Sequence, residues 1–183
     1  MKIETKHLPS EGISLTFEVG AREFSVLNEM MDNAECAFDH PIQIQVEAAP
    51  EHDLIKVKGT LSTIVGLSCS RCLADFQEPL RRRFTLRFSN AIASDIGPAG
   101  ADEIELSAEQ MDLMPFDGEV IDLREAIQEQ VILALPFKPL CKEDCKGLCP
   151  RCGADLNAAP CQCEVDTKTN PFAELKGRHW PAR

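Results

Sequence analysis

Apolar and polar residues alternate in two stretches of the N-terminal third of the chain. In residues 13–19 (ISLTFEV) and 42–46 (IQIQV), every second residue is apolar. Side chains of a strand point alternately to its two faces, so this period predicts two half-buried strands. Residues 28–41 between them (NEMMDNAECAFDHP) lack the alternation and predict a loop or a short helix.

Two further β-rich stretches follow. Residues 54–67 (LIKVKGTLSTIVGL) predict a strand in which Gly59 or Gly66 would mark a bulge. Residues 76–88 predict a further pair of strands, because apolar and polar residues alternate toward the end of this stretch. The intervening residues 69–72 (CSRC) would then lie at the tip of a hairpin.

A helix is predicted to begin at Asp122. This residue is a favourable N-cap, and Glu125 follows three residues later, a pattern similar to a capping box. Apolar residues recur every four positions from Leu123 to Leu135, which places one stripe of the helix against a core. Pro136 would end the helix.

Together these patterns predict an α+β fold with an antiparallel β-sheet or partial barrel, one principal helix and a C-terminal cysteine-rich lobe similar to a zinc ribbon. We expect residues 1–136 to form the core domain that carries the CxxC hairpin. Residues 137–183 would form the metal-binding lobe and the C-terminal tail. Residues 91–118 predict an acidic, turn-rich loop, and residues 166–178 (DTKTNPFAELKGR) predict a short helix.

The composition limits the class of protein. The chain has 183 residues and is 44% hydrophobic, which suffices for the core of one domain with a small appendage. No stretch approaches the roughly 20 apolar residues of a membrane span, and the N-terminus has no apolar signal segment. We therefore expect a cytoplasmic protein without a membrane partner. The formal net charge of −11 argues against simple coating of a nucleic acid.

Eight of the nine cysteines form closely spaced pairs, and Cys36 is left over as a small hydrophobe. A reducing compartment disfavours structural disulfides, and paired thiolates at these spacings are typical of zinc sites with four ligands. The sequence therefore predicts one or two zinc ions, each held by four cysteines. The predicted ligands are Cys69, Cys72, Cys141, Cys145, Cys149, Cys152, Cys161 and Cys163.

The motif CPRCG in residues 149–153 is the most specific of these pairs. Pro150 fixes one backbone angle, and Gly153 can adopt the positive φ that lets backbone N–H groups point at sulfur. The CSRC motif has no such glycine, so we expect it to be the weaker of the two. We prefer a partition in which the four cysteines of residues 149–163 bind one ion. The other two pairs would then share a second ion and attach the sheet to the lobe.

Other chemistries remain open for the same cysteines. CSRC alone could be a redox pair, although no βαβ pattern precedes it. An iron–sulfur cluster also takes four cysteines. An enzyme such as a nuclease is disfavoured, because a catalytic zinc needs an open coordination position and cysteine pairs describe closed sites. The four histidines show no ligand spacing, and no phosphate-binding loop or nucleophile motif occurs, so we expect no small-molecule substrate.

Two segments, CSRCLADFQEPL and IDLREAIQEQVILALPFKPLCKEDCKGLCPRCGADLN, closely resemble the YceD family, the large ribosomal RNA subunit accumulation proteins of bacteria and plastids. The resemblance covers essentially the whole chain, with its strongest motifs in residues 67–80 and 121–163. It implies a cytosolic, non-enzymatic factor that supports accumulation or processing of the large-subunit (23S) ribosomal RNA. Some family members lack the downstream cysteines, which implies that the metal lobe stabilises the fold or tunes contacts.

The distribution of charge leaves two kinds of partner open. The acidic residues 93–130 suit a basic ribosomal protein, although acidic runs are usually solvated loops. Guanidinium groups suit phosphate, and a basic patch near one strand could contact ribosomal RNA or simply coat a solvated sheet face. No aromatic platform for stacking single-stranded RNA accompanies it. The arginines of this patch are Arg71, Arg81, Arg82, Arg83 and Arg87. We favour binding of a ribosomal protein, with or without ribosomal RNA, in an assembly intermediate.

Overall fold

The computed structural model describes residues 1–90 and 113–163 of the chain. In these residues the protein has the predicted α+β fold, with seven strands and two short α-helices. The strands are β1 (Lys2–Glu4), β2 (Ile13–Val19), β3 (Ile42–Glu51), β4 (Leu54–Ser68), β5 (Asp75–Ser89), β6 (Leu113–Pro115) and β7 (Val120–Asp122), and the helices are α1 (Ser25–Asp32) and α2 (Arg124–Ile132).

Five strands form the main sheet in the order β2-β3-β4-β5-β6. Neighbours from β2 to β5 are antiparallel, whereas β6 runs parallel to β5. Strands β1 and β7 pair with each other in a separate sheet. Strands β4 and β5 form a long hairpin, paired without interruption from Leu54 opposite Ser89 to Ser68 opposite Asp75. The CSRC motif lies at the tip of this hairpin, as expected.

A single strand of 15 residues, β5, replaces the pair of strands expected in residues 76–88, so that prediction was wrong. Three consecutive arginines interrupt the apolar alternation, yet the strand continues because Arg82 lies on the inner face of the sheet. There its Nε donates to Oε1 of the buried Gln130 at 2.9 Å, and its Nη1 donates to the backbone oxygen of Leu133 at 3.2 Å. These bonds satisfy two of the N–H donors of the guanidinium and attach α2 to the sheet.

The bulge expected at Gly59 or Gly66 is not formed, since β4 pairs with β5 residue by residue through both glycines. Gly59 is instead a point of close approach, because a Cβ there would overlap the ring of Phe84 on the neighbouring strand. Gly66 exchanges two backbone hydrogen bonds with Ala37, of 2.9 and 2.7 Å. Both glycines therefore serve contacts between adjacent chain segments rather than an extra residue in the ladder.

One face of the main sheet, both helices and the β1–β7 pair share one apolar core. Side chains of β3 alternate strictly between buried and exposed from Ile42 to Ala48. Leu27 of α1 and Ile127 of α2 are completely buried in the same core. Cys36 is also buried there, and this burial raises the pKa of its thiol. The opposite face of the sheet is polar, and it is described with the functional residues below.

Helix α2 begins at Arg124 rather than directly after Asp122, and it ends at Ile132, before Pro136 is reached. Asp122 is the last residue of β7, but its Oδ1 accepts the backbone N–H of Arg124 at 2.9 Å. The carboxylate thus still satisfies one of the free donors of the first turn. Helix α1 occupies part of the segment that the sequence left open as a loop or a short helix.

None of the described helices has the length and apolar character that crossing a bilayer requires. The short helix expected in residues 166–178 lies outside the described residues. The same holds for most of the acidic loop expected in residues 91–118.

Candidate metal centres

The first group of four thiols joins the tip of the β4–β5 hairpin to the segment that follows α2. Cys69 and Cys72 come from the tip, Cys141 and Cys145 come from the later segment, and all four sulfurs lie within 4.8 Å of one another. Sγ of Cys69 lies 3.8 Å from Sγ of Cys145, and Sγ of Cys72 lies 3.6 Å from Sγ of Cys141. We call this group the sheet cluster.

The second group, the lobe cluster, lies entirely in the C-terminal part of the described chain. It contains Cys149, Cys152, Cys161 and Cys163, whose sulfurs also lie within 4.8 Å of one another. Cys149 is buried and Cys152 is exposed. Residues 136–163 contain no helix or strand that could position these ligands. The two groups have the membership of the partition that we preferred from the sequence.

The sulfur geometry fits a tetrahedral metal ion. When the metal–sulfur distance is about 2.3 Å, neighbouring sulfurs of a tetrahedron are about 3.8 Å apart, close to both measured distances in the sheet cluster. A disulfide would bring two sulfurs to about 2.05 Å, and all nine cysteines are free thiols. Each cluster can therefore hold a metal ion, and four protein ligands are the number typical of a structural site.

Both CxxC motifs fold into the same backbone turn. In the first motif the N–H of Cys69 donates to the oxygen of Ala74, and the N–H of Leu73 donates to the oxygen of Cys69, both at 2.9 Å. The corresponding bonds of the second motif, from the N–H groups of Cys149 and Gly153, measure 2.8 and 2.9 Å. This tight turn gathers the two sulfurs of each motif on one side of the chain.

The missing glycine of the CSRC motif does not change this turn. Leu73 occupies the position of Gly153 and adopts a positive φ of 59°, compared with 72° for the glycine. The left-handed conformation costs an ordinary residue about 1–2 kcal/mol. The side chain of Leu73 is 69% exposed, so its own packing offsets little of this cost. The paired strands on either side of the motif must hold the turn.

Several hydrogen bonds attach the CSRC motif to the segment that follows α2. The backbone N–H of Ser70 donates to the oxygen of Pro139 at 2.9 Å. Nη1 of Arg71 donates to the backbone oxygen of Cys145 at 2.7 Å. Arg71, which we expected to be a contact for RNA, is exposed, and its guanidinium hydrogen-bonds within the chain to a ligand-bearing segment.

Gly147 marks the closest approach between these two segments. It has a φ of 74°, and a Cβ at this position would lie 2.9 Å from the backbone oxygen of Arg71. The next residue, Leu148, donates its N–H to the same oxygen at 3.1 Å. A side chain at Gly147 would therefore push the two halves of the sheet cluster apart.

Asn157, which lies between Cys152 and Cys161 in the sequence, contacts the sheet cluster and was not identified from the sequence. Its Oδ1 accepts the backbone N–H of Lys146 at 2.9 Å, and its Nδ2 lies 3.5 Å from Sγ of Cys145. An asparagine located between two cysteine pairs is the sequence feature that could have indicated this role.

Backbone hydrogen bonds prepare one thiol of each cluster for ionisation. A hydrogen bond from the backbone of Cys141 lowers the pKa of Cys69 to about 6, whereas burial raises the pKa of Cys141 to about 12. A hydrogen bond from the backbone of Cys152 likewise lowers the pKa of Cys149 to about 6. A bound cation would favour the thiolate at the remaining positions as well.

The histidines contribute to neither cluster in the described residues. His7, His40 and His52 are exposed, and both groups of potential ligands consist of cysteines alone. His179 lies outside the described residues.

The outer face of the main sheet holds the remaining arginines of the predicted basic patch. Arg81, Arg83 and Arg87 all point to this face of β5, and the first two are exposed. The side chains of Arg81 and Arg83 form no ion pair or hydrogen bond with the described part of the chain. Arg82 points to the opposite face, as described above. The patch is therefore smaller on β5 than the sequence suggested.

Lys56 and Lys58 extend the basic patch onto β4, and they were not identified from the sequence. Lys56 is opposite Arg87 in the ladder, and Lys58 is opposite Thr85. The sequence contains the pattern that places these lysines outward, because the outward positions of β4 follow the same period of two as its buried positions. It could be interpreted only once the pairing of β4 with β5 was known.

Comparison with known proteins decides the family. The chain matches the YceD family, described as large ribosomal RNA subunit accumulation protein YceD, over residues 57–177. The chain belongs to the YceD family. The matched region is well over half of the chain and includes all eight cysteines of the two clusters.

Relatives occur in mycobacteria and in chloroplasts. An uncharacterised protein of Mycobacterium bovis is 34% identical over 119 residues, which cover 65% of this chain and 52% of the relative. The chloroplastic large ribosomal RNA subunit accumulation protein YCED homolog 1 of Arabidopsis thaliana is 25% identical over 152 residues, covering 74% of this chain and 47% of the relative. The homolog of the same name in Zea mays is 22% identical over 156 residues, covering 75% and 53%. The chain thus spans about half the length of these relatives. No solved structure matches it significantly.

Proposed function

We propose that this YceD-family protein is a non-enzymatic factor in assembly of the large ribosomal subunit, and that it supports accumulation or processing of 23S ribosomal RNA in the cytoplasm. The match to the family over residues 57–177 carries this proposal. The names of the chloroplastic relatives in Arabidopsis thaliana and Zea mays support it. The closed character of both thiol clusters agrees with a role without catalysis.

The cofactor in this proposal is zinc, one ion in each cluster. Eight thiols in two compact tetrads suit Zn²⁺, which binds thiolates at tetrahedral sites. Each ion would cross-link two segments of the chain. In the sheet cluster, Cys69 and Cys72 of the core domain (residues 1–136) would share an ion with Cys141 and Cys145 of the lobe.

The partner in this proposal is a ribosomal protein, ribosomal RNA or both, within an assembly intermediate. Ribosomal proteins are generally basic, and the acidic stretch of this chain offers a complementary charge. Asp117, Glu119 and Glu125 belong to its described part. No small-molecule substrate is part of the proposal, since the thiol clusters are closed.

Deletion of the gene tests the function directly. A deletion strain should accumulate less mature 23S RNA relative to 16S RNA, and large-subunit precursors should appear in sucrose gradients. A plasmid that carries the wild-type gene should restore both. Unchanged ratios and gradients in the deletion strain would refute the proposed function.

Metal analysis tests the cofactor separately. Protein purified under reducing conditions should contain about two zinc ions per chain. Visible absorbance and bound iron would indicate an iron–sulfur cluster instead. A zinc content below one-half equivalent after reconstitution would contradict both metal assignments.

A further inference from the structure

The outer face of the β4–β5 hairpin has a composition that the fold alone does not require. Eight consecutive outward positions, four on each strand, hold five cations and three hydroxyl residues. The cations are Lys56, Lys58, Arg81, Arg83 and Arg87, and the hydroxyl residues are Thr60, Ser62 and Thr85. We call the five cations the cationic face.

Like charges oppose each other within this face. Lys56 is directly opposite Arg87 across the β4–β5 ladder, an arrangement that destabilises a sheet. Glu51 relieves it in part, because its carboxylate lies 2.5 Å from Nζ of Lys56 and its pKa is lowered, first by this hydrogen bond. A sheet selected for stability alone would not retain two cations at opposite positions.

Acidic side chains lie beside the lysines of β4 and partly neutralise the charge on that side of the cationic face. Lys58 has Glu47 as its neighbour on β3. Arg83 is opposite Thr60, and Thr60 is opposite Gln45 on its other side. Arg81 is opposite Ser62, and Ser62 is opposite Gln43. The guanidinium groups of Arg81 and Arg83 therefore have hydroxyl and amide residues as cross-strand neighbours, which leaves their charge available to an external anion.

The shape and chemistry of this face select among possible anionic partners. A trough of about 590 Å³ crosses the outer face, lined by residues that include Thr16, Gln45, Lys58 and Arg83. Its outward positions on β4 and β5 hold no aromatic or aliphatic anchor of the kind that dominates protein–protein interfaces. Phe84 also lines the trough but is buried, so no exposed aromatic side chain among the lining residues can stack with single-stranded bases.

We propose that the cationic face binds the phosphate backbone of double-helical ribosomal RNA. From Arg81 to Arg87 the outward residues of β5 span about 20 Å, a length over which a duplex presents several phosphates. Arg and Lys contact these phosphates, while Thr60, Ser62 and Thr85 can donate to phosphate or ribose oxygens. The inference rests on the proposed function, because that function supplies the RNA.

The excess negative charge of the chain does not exclude RNA binding by the cationic face. The net charge of −11 repels RNA at long range and lowers its overall affinity. The slope of affinity with salt reports instead on the phosphates neutralised locally. The slope is therefore the sharper measurement.

The test uses the full-length, zinc-loaded protein and an RNA duplex of about 16 base pairs, the length that a double-strand RNA-binding domain contacts. The triple variant Lys58→Gln/Arg81→Gln/Arg83→Gln should bind about 10- to 100-fold more weakly at low salt. The slope of log affinity against log salt should fall by about three. The variant should keep its zinc content and its unfolding midpoint.

A matched control removes the same charge elsewhere. Lys2, Lys6 and Arg124 are exposed and lie outside the cationic face. The variant Lys2→Gln/Lys6→Gln/Arg124→Gln should bind the duplex with nearly the wild-type slope. Equal losses in the two triple variants would show non-specific charge attraction and would overturn the inference.

Two further probes separate the alternative partners. A single-stranded RNA of equal length should bind more weakly than the duplex, and polyglutamate should bind more weakly still. Tighter binding of polyglutamate would indicate an acidic protein partner, and tighter binding of the single strand would indicate a different RNA-binding mode; either result overturns the inference.

Complementation distinguishes this inference from the function on which it rests. If deletion leaves 23S RNA unchanged, the proposed function fails whatever the duplex binding shows. If deletion lowers 23S RNA and the cationic-face variant restores it fully, the function stands and the cationic face is not its RNA contact. Partial or no rescue by the variant, with full rescue by the control variant, supports both.

Discussion

The two CxxC motifs have the same backbone turn but very different surroundings. The CSRC motif lies at the tip of a hairpin of two 15-residue strands, and Ser70 and Arg71 attach it to the segment after α2. The CPRC motif lies in a segment without helix or strand, and its partners Cys161 and Cys163 come from irregular chain. An ion in the sheet cluster would join two parts that are ordered already. An ion in the lobe cluster would create the order around it.

Removal of zinc should have the largest effect, and the effect should differ between the two clusters. Ligation of a structural zinc can supply about 10 kcal/mol or more of folding free energy, so a chelator should unfold residues 146–163. The β3–β5 sheet has its own apolar core and should stay folded. Hydrogen exchange with and without chelator measures both regions. Equal loss of protection in the hairpin and in the lobe would contradict the comparison.

Single ligand substitutions provide the control for this experiment. Cys69→Ser and Cys152→Ser should each lower the zinc content from about two ions to about one. Only Cys152→Ser should release the amide protection of the lobe segment 149–163.

Gly147→Ala should be the most damaging change outside the ligands. The new Cβ would lie 2.9 Å from the backbone oxygen of Arg71 at a positive φ of 74°. Strain and overlap together should lower the free energy of unfolding by about 2–4 kcal/mol. Gly118 has the same φ, and nothing lies within 4 Å of the position that a Cβ would take there, so Gly118→Ala should cost only about 1 kcal/mol. Urea unfolding of the zinc-loaded proteins checks the difference, and equal losses would exclude the close approach as its cause.

Arg71→Met should loosen the sheet cluster selectively. It removes the 2.7 Å hydrogen bond to the backbone oxygen of Cys145. A hydrogen bond with a charged donor contributes about 1.5–3 kcal/mol. Zinc should leave the sheet cluster faster in a chelator competition, while release from the lobe cluster stays the same. Arg81→Met, on the exposed outer face, should change stability by less than about 0.5 kcal/mol. Faster release from both clusters would mean that Arg71 does not act locally.

The residue that follows each CxxC motif, Leu73 or Gly153, offers the test with the smallest expected effect. Leu73→Gly removes the strain of a positive φ but adds flexibility to the unfolded chain, so stability should rise by about 0.5 kcal/mol. Gly153→Ala introduces that strain and should lower stability by about 1 kcal/mol. Denaturant midpoints of the zinc-loaded variants measure both signs. A loss on Leu73→Gly would show that the exposed leucine has a packing role.

Much of the candidate site could be predicted because cysteine ligation depends on short spacings. Two thiols separated by two residues meet one ion through a local turn, so Cys149 and Cys152 needed no tertiary information. The membership of the sheet cluster was harder, since Cys72 and Cys141 are far apart in sequence. Counting pairs predicted only that eight paired cysteines fill two sites of four, and the preference for this partition rested on the short distance in sequence between the pairs of residues 149–163. That argument works for ligands and for little else.

The roles of the arginines could not be predicted in the same way. Three consecutive arginines do not show which of them points inward until the register of the strand is known. Arg82 lies inward because β5 is continuous and Gln130 of α2 receives it. Arg71 lies against Cys145 because the chain returns to the hairpin tip. Long side chains with several donors can satisfy either a phosphate or a backbone oxygen, so only their surroundings decide.

By itself the sequence determined the α+β character, the family and the cysteines that can share an ion, because alternation and ligand spacing are local properties of the chain. Tertiary structure decided which cations face outward together, why Leu73 and Gly147 take positive φ, and how Asn157 reaches a thiol. These features depend on the register of β4 with β5 and on the return of the chain to the hairpin. Register is a long-range property, and a shift of one residue would turn every side chain of a strand to the other face.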